Sequence, residues 1–218
     1  MAIIKAQADF AINLLSNVVL EQNKPVESTI LSPLSLSMGL AMVYAGADGE
    51  TKNEFGEFLL LINAIYFKGK WISTFDPKLT YKTRFYISED NFIEVQVDMM
   101  KKENNFVYFE NDEVHLPKFK FESTHDLKDV LIKLGINSAF ENANFSNITI
   151  DKPLKIDKVV QKAFIELNEE GTEAVATTFD EYVEEEGRWQ PPSFVANHPF
   201  TFMIVKKTEI LFCGIFQG

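Results

Sequence analysis

The residues best suited to metal or nucleophilic chemistry are three histidines and one cysteine, and they are far apart in the sequence. His115, His125 and His198 have no second histidine or cysteine at the short spacings that zinc sites use. Cys213 lies in the apolar run ILFCGIF, which is typical of a core strand, although a reactive thiol is the alternative. The sequence also lacks a Gly-x-Ser-x-Gly motif and a phosphate-binding glycine loop. We therefore expect no metal, no cofactor and no enzymatic activity.

The segment NEEGTEAVATTFDEYVEEEGRW, residues 168–189, stands out because its two halves differ in character. The first half has small uncharged side chains at alternate positions, which is typical of a strand. The second half is acidic and contains one basic residue, Arg188. A strand-like sequence that continues into a charged segment is unusual for a core element, so this segment is the first candidate for function.

Composition limits the class of protein. The chain has 218 residues, of which 46% are hydrophobic and 20 are phenylalanine, enough for a sizeable core. Its net charge is -11 and it has no basic run, so nucleic acid is not an expected partner. No apolar stretch reaches membrane-spanning length, and the N-terminal segment lacks the cleavage site of a signal peptide. These features predict a cytoplasmic protein without a membrane partner; two sequons, at Asn144 and Asn147, would matter only after secretion.

Hydrophobic periodicity predicts four helices. The first covers residues 3–20. Ser32 as N-cap and Pro33 as first residue begin a second helix that ends at Gly46. This helix is apolar almost all round, so we expect it to be buried. A short exposed helix follows in ADGETKNEFGEFL, and HDLKDVLIKLGI predicts a fourth that ends at Gly135.

Strand-type runs dominate the rest of the chain. They are residues 26–31, a strand in LLLINAIYFKGKW that ends near Gly69, two runs around a turn at 89–91, NNFVYFE, VHLPKFKFEST, a strand in KVVQKAFIELNEE, and a closing hairpin with its turn at 206–208. Helices first and mostly antiparallel strands later predict an α+β fold.

Five segments, in order along the chain, together resemble the serpin family of serine protease inhibitors. They are LSPLSLSMGLAMVYAGADGETKNE, NAIYFKGKW, LPKFKFESTHDLKDVLIKLGI, KAFIELNEEGTEAVATT and ANHPFTFMIVKKTEILFCGIF. The resemblance extends over most of the chain and is nearest to the intracellular-type members. It implies a single serpin-type domain over residues 1–218, with N-terminal helices, mostly antiparallel sheets and an exposed reactive-centre loop.

The resemblance identifies the segment 168–189 with this loop, which the family offers to a serine protease as bait. After cleavage the loop inserts into the main sheet as an extra strand. Small side chains at alternate positions suit insertion, because they can enter a packed sheet without overpacking it. The residues that match the hinge of the loop are Glu169, Glu170, Gly171, Thr172, Glu173, Ala174, Val175, Ala176, Thr177 and Thr178.

The scissile bond has two candidate positions. The family's spacing, counted from Gly171, places the residue before the bond at Glu185, with Glu186 after it. Counting back from the HPF segment points to Arg188, followed by Trp189. Glu185 would suit an acid-preferring, granzyme-like protease, and Arg188 a trypsin-like one, whose pocket carries a carboxylate. Alternatively, the acidic residues here are only solvated loop charges.

The resemblance also implies a polar cluster beneath the main sheet, the shutter, which must part for the loop. Ser32, Ser35 and Asn63 match its serines and asparagine. Gln161 stands where the family commonly has histidine. Its amide can still donate and accept hydrogen bonds, but the usual network is altered.

The chain departs from the family at two abrupt joins, near residues 58–61 and 110–114, where helices and strands are missing. A sheet without its neighbours exposes apolar faces and unpaired edges. The alternative to an inhibitor is therefore a truncated, non-inhibitory serpin-like binding or decoy protein that self-associates through exposed strands. The alternative to a cytoplasmic location is release from the cell by an unconventional route.

Overall fold

The computed structural model describes residues 2–20, 25–56, 70–88, 93–106, 109–171 and 193–218. Its helices are α1 (Ala2–Val19), α2 (Pro33–Gly46), α3 (Gly49–Gly56) and α4 (Lys128–Lys133), with a 3-10 helix at Pro77–Leu79. Its strands are β1 (Thr29–Leu31), β2 (Tyr81–Ser88), β3 (Ile93–Phe106), β4 (Phe109–Pro117), β5 (Phe119–Asp126), β6 (Val160–Leu167), β7 (Ser193–Val195), β8 (Phe200–Lys206) and β9 (Glu209–Phe216). The predicted α+β class is confirmed.

The strands form three sheets in the described part of the chain. Their orders are β1-β9-β8, β2-β3-β4-β7 and β5-β6. The pairings of β1 with β9, β2 with β3 and β3 with β4 are antiparallel. The short strand β7 lies parallel to β4, with Val195 opposite His115.

Contacts divide the described residues into two compact units. The first comprises those within Met1–Phe67, Glu122–Phe164 and Thr201–Phe216, and the second those within Lys68–Phe121, Ile165–Phe200 and Gln217–Gly218. The second unit contains the four-stranded sheet, and Phe85, Met99 and Met100 are fully buried there.

The hydrophobic core of the first unit is built from the helices and the strand β9. The N-terminus of α2 forms as its sequence predicts, because the Ser32 hydroxyl accepts a hydrogen bond from the Ser35 N–H at 3.2 Å and Pro33 needs no donor there. The buried members of this core are Ala11, Leu14, Leu15, Leu31, Leu36, Leu40, Ala47, Phe55, Leu127, Val130, Leu131, Ile136, Ala139, Phe140, Phe145 and Cys213.

Four predictions about these elements were inaccurate. The helix α2 is buried on one side only, and Met42 is 74% exposed, because the core covers the side that carries Leu36 and Leu40. The strand β1 has three residues and α4 has six, so both are shorter than predicted. The run VHLPKFKFEST is two strands, because the chain leaves β4 after Pro117, which has no N–H to donate.

The closing hairpin is confirmed, with β8 and β9 joined at Lys207, whose φ is 57°. The predicted strand that ends near Gly69 lies outside the described residues. Among the helices that the structure describes, none combines the length and the apolar character that crossing a bilayer requires.

Candidate functional site

The part of the predicted loop that the structure describes, residues 168–171, forms a tight turn at the end of β6. The Gly171 N–H donates to the Asn168 carbonyl at 3.2 Å, and the Glu170 N–H donates to Asn168 Oδ1 at 3.1 Å. Gly171 has a φ of 85°, a left-handed conformation that favours glycine. Its backbone also forms isolated bridges with Asn168 and Lys70. Glu170 and Gly171, which belong to the predicted hinge, are therefore held by hydrogen bonds and bridges to Asn168 and Lys70.

The Glu169 carboxylate is the main polar anchor of this turn. Thr80 Oγ1 donates to Oε1 at 2.7 Å, and Lys118 Nζ lies 3.0 Å from Oε2. The Glu169 side chain is 10% exposed and that of Lys118 is 34% exposed, so this ion pair is largely withdrawn from water. The backbone takes part as well, because the Glu169 carbonyl accepts from the Phe75 N–H at 2.9 Å. Glu169 thus joins the end of β6 to three other positions within the second unit, which contains all of these residues.

Two opposing effects act on the pKa of Glu169. Burial by itself raises the pKa of the carboxyl. Hydrogen bonds from Thr80, from its own backbone N–H and from Lys118, together with the charge of Lys118, outweigh burial and lower the pKa below its usual range. The site therefore favours the charged carboxylate.

Aromatic packing supports the turn. Trp71 Nε1 donates to the Asn168 carbonyl at 2.8 Å, and its ring packs edge-on against Phe75 with 5.3 Å between centroids. Lys102 Nζ lies 5.7 Å from the centre of the Phe75 ring and donates to the Thr74 carbonyl at 2.7 Å. Burial lowers the pKa of Lys102. The sequence did not indicate that Trp71, Thr80 and Lys118 contact this turn.

The predicted shutter residues Ser32, Ser35 and Gln161 are brought together in the first unit. Gln161 Oε1 accepts from the Ser32 N–H at 3.0 Å, and Gln161 Nε2 donates to the Ser32 carbonyl at 2.8 Å. The Ser32 hydroxyl donates to the Leu211 carbonyl at 2.9 Å. Asn63, the fourth predicted member, lies outside the described residues. The role of this cluster as a shutter stays a prediction.

Replacement of Gln161 by methionine is expected to lower the free energy of unfolding by about 1–3 kcal/mol, because the buried Ser32 N–H loses its partner. The Ser32 carbonyl loses one of two donors and keeps the Leu36 N–H at 3.1 Å. Urea unfolding monitored by circular dichroism measures the change. The control is Lys162→Met: Lys162 is exposed and pairs with Glu122 at the surface, so its loss should cost less than about 1 kcal/mol. Equal losses for the two variants would contradict the prediction.

The remaining predicted loop residues lie in 172–192, outside the described residues. They include the hinge positions from Thr172 to Thr178 and the scissile-bond candidates Glu185, Glu186, Arg188 and Trp189. Their roles stay predictions.

His115 and Cys213 both have structural partners, His115 in a polar cluster and Cys213 in the hydrophobic core. The Glu113 carboxylate lies 3.2 Å from His115 Nε2 and can only accept, so this nitrogen carries the proton and Nδ1 accepts from the Tyr81 hydroxyl at 2.8 Å. Cys213 is buried, its Sγ lies 3.8 Å from the Ala11 carbonyl, and burial raises its pKa to about 12. This supports the core interpretation of Cys213. Within the ranges that the structure describes, no three His, Cys, Asp or Glu side chains are grouped to hold a metal ion.

A family model described as serpin (serine protease inhibitor) matches residues 5–60, 55–115 and 109–217. The three matches overlap at residues 55–60 and 109–115, and the two joins near 58–61 and 110–114 stay a prediction. The family assignment that the sequence predicted is confirmed.

Curated relatives share about a third of their residues with this chain. An uncharacterized serpin-like protein of Methanosarcina acetivorans is 34% identical over an alignment that covers 72% of this chain and 49% of the relative. Antichymotrypsin-2 of Bombyx mori is 32% identical over an alignment that covers 72% of this chain and 56% of the relative. Serpin B6 of Macaca fascicularis is 33% identical, with 73% and 57% covered. The chain therefore spans about half the length of the curated relatives it matches.

Solved structures with the same fold include Serpin48 of the insect Tenebrio molitor, at a TM-score of 0.80 and 22% identity, with 99% of this chain and 98% of that chain covered. Human thyroxine-binding globulin in complex with thyroxine matches at a TM-score of 0.81 and 20% identity, with 100% and 98% covered. At these identities the likeness shows the fold, and the predicted serpin fold is confirmed.

Proposed function

Since this chain belongs to the serpin family, we propose that it inhibits a serine protease as a suicide substrate and is not itself an enzyme. The protease would cleave the segment that follows Gly171. The cleaved segment would then insert beside β6 as an additional strand, and no cofactor would take part.

The anchored turn at Glu169–Gly171 is the observation that carries the proposal. An inserting loop can pull on a bound protease only if its base stays fixed to the sheet. Here the Glu169 side chain binds Thr80 and Lys118, and Gly171 pairs with the backbone of Asn168 and Lys70. This arrangement supports a loop that moves about a fixed point at the end of β6.

The sequence after Gly171 provides a driving force. About a dozen inserted residues would gain ladder hydrogen bonds at about 1 kcal/mol each, a total on the order of 10 kcal/mol. The side chains on one face of the new strand would be Thr172, Ala174, Ala176 and Thr178, all small enough to enter without overpacking.

The target is proposed to be either an acid-preferring, granzyme-like protease, which would cleave after Glu185, or a trypsin-like protease, which would cleave after Arg188. The proposed site of action is the cytoplasm, with unconventional release as the alternative.

Incubation with one protease of each class, followed by a denaturing gel, tests the function. We expect an SDS-stable band at the summed mass of chain and protease. Mass spectrometry of the released peptide identifies the scissile bond. Cleavage by every protease tried without such a band contradicts an inhibitory function for this form.

A non-inhibitory binding or decoy protein is the second candidate. It is favoured by the length of the chain, about half that of its curated relatives. It is also favoured by exposed apolar side chains on two strands, Val160 and Phe164 on β6 and Met203 and Val205 on β8. Light scattering and thermal unfolding test this candidate, and a stable monomer that unfolds cooperatively counts against it.

A further inference from the structure

The strand β1 has two edges, and only one of them faces another strand of its sheet in the described chain. Within a strand, the N–H and C=O of one residue point to the same edge, and those of the next residue point to the opposite edge. Thr29 and Leu31 lie opposite Ile215 and Cys213 of β9. The backbone N–H and C=O groups of Ile30 and of Ser32 face the other edge.

Two side chains occupy that other edge. Ser123 Oγ accepts from the Ile30 N–H at 3.1 Å and donates to the Ile30 carbonyl at 2.6 Å. The Gln161 amide makes the equivalent pair of bonds with the N–H and carbonyl of Ser32. Each side chain therefore binds both backbone groups of one residue, as a neighbouring strand would. The Ser32 carbonyl also accepts from the Leu36 N–H at 3.1 Å. We call the side chains of Ser123 and Gln161 the clasp.

Burial limits the access of water to the clasp at Ile30 and Gln161, whereas the Ser123 side chain is half-buried. Ile30 is 1% exposed and Gln161 is 8% exposed. A buried backbone group without a partner is costly, so loss of either side chain exposes β1 to water or leaves its groups unsatisfied.

The clasp also connects three elements. Ser123 belongs to β5 and Gln161 to β6, and these two strands pair with each other. Ser32 begins α2 and donates its hydroxyl to the Leu211 carbonyl of β9. The clasp thus ties the β5-β6 pair to β1, to α2 and to β9.

We propose that Ser123 is a positioning residue that acts together with Gln161, and that the clasp holds the β5-β6 pair on β1 while a strand is added beside β6. The hydrogen bonds between Gln161 and Ser32 would persist while the rest of the predicted shutter parts. In the described part of the chain, β5 is the one named strand that pairs with β6, and the proposed function places the added strand at the opposite edge of β6. If β5 and β6 were loosely held, they would move with the incoming strand instead of resisting it. The role of the clasp in strand addition rests on the proposed function. The hydrogen bonds that define the clasp do not depend on that function.

Amide hydrogen exchange tests the clasp with a matched pair of variants, Ser123→Thr and Ser123→Val. The two side chains have nearly the same shape and differ in the hydroxyl, so each variant controls for the packing of the other. We expect wild-type protection in Ser123→Thr and about tenfold faster exchange of Ile30 in Ser123→Val.

Ser32 gives the decisive signal, because its N–H is bound by Gln161 and not by Ser123. If the two side chains act together, its exchange also accelerates by about tenfold in Ser123→Val. If only the Ile30 amide exchanges faster, Ser123 and Gln161 do not act together, and the proposed clasp is wrong. As a further control, Ser37→Ala removes a hydroxyl bond inside α2, to the Pro33 carbonyl, and should leave both amides unchanged.

The role in strand addition has a separate readout, the ratio of covalent complex to cleaved product. With a protease that wild type inhibits, Ser123→Val should give several-fold more cleaved product than Ser123→Thr at an unchanged cleavage rate. Equal ratios overturn the positioning role. If wild type forms no complex with any protease, the proposed function fails, and the exchange of Ser32 still decides whether the clasp exists.

Discussion

Replacement of Thr172 by arginine is expected to convert the chain from an inhibitor into a substrate, with covalent complex reduced at least about a hundredfold because burial of an unpaired charge costs several kcal/mol. Thr172 follows Gly171 directly, so it would be the first side chain to enter the sheet. The alternation of small residues predicts that it points inward together with Ala174. Gel densitometry of complex and cleaved product measures the effect.

Glu173→Arg is the matched control, because the same alternation places Glu173 on the opposite face of the inserted strand. We expect this variant to retain complex formation within a few-fold of wild type. Equal loss in both variants would contradict the predicted facing of the strand. An unchanged amount of covalent complex in Thr172→Arg would contradict the insertion of the loop into the sheet.

The local features of the fold were predictable where a short sequence pattern has one physical meaning. Ser32-Pro33 is such a pattern, and both residues are where a helix N-terminus requires them. The closing hairpin was equally clear, because two long apolar runs flank a short polar turn. The strand β7 was missed, since it has three residues and is defined by parallel pairing with β4, which no local pattern encodes.

The candidate site was predictable only through the family resemblance. The resemblance assigned Glu169 to the hinge without partners for its carboxylate. It grouped Gln161 with Ser32 and Ser35 in the shutter, but it did not indicate which atoms bond. Thr80 lies 89 positions before Glu169, and Ser123 lies 93 positions after Ile30. Such contacts depend on the register of whole strands, so neither composition nor periodicity could have indicated them.

Replacement of Glu169 by lysine is expected to destabilise the second unit by about 2–3 kcal/mol, because the partner charges of a largely buried pair become like charges. The new ammonium would lie beside Lys118, and Thr80 would lose its acceptor. Trp71 donates to the neighbouring Asn168 carbonyl, so its fluorescence during urea unfolding reports this site. The complementary change Glu170→Lys, one residue along, serves as control and should cost less than about 1 kcal/mol.

The pH dependence of the same anchor follows from the lowered pKa of Glu169. An acid whose pKa is lower in the folded than in the unfolded chain stabilises the fold above the unfolded pKa, and this contribution is lost as the pH falls through the folded pKa. Glu169→Gln can keep hydrogen bonds but does not titrate. The stability advantage of wild type over Glu169→Gln should therefore be largest near pH 7 and shrink below about pH 4.5. Other acids, such as Glu113, titrate equally in both proteins and cancel in the difference. A difference that stays constant from neutral to acid pH would show that the charge of Glu169 does not hold the base of the loop.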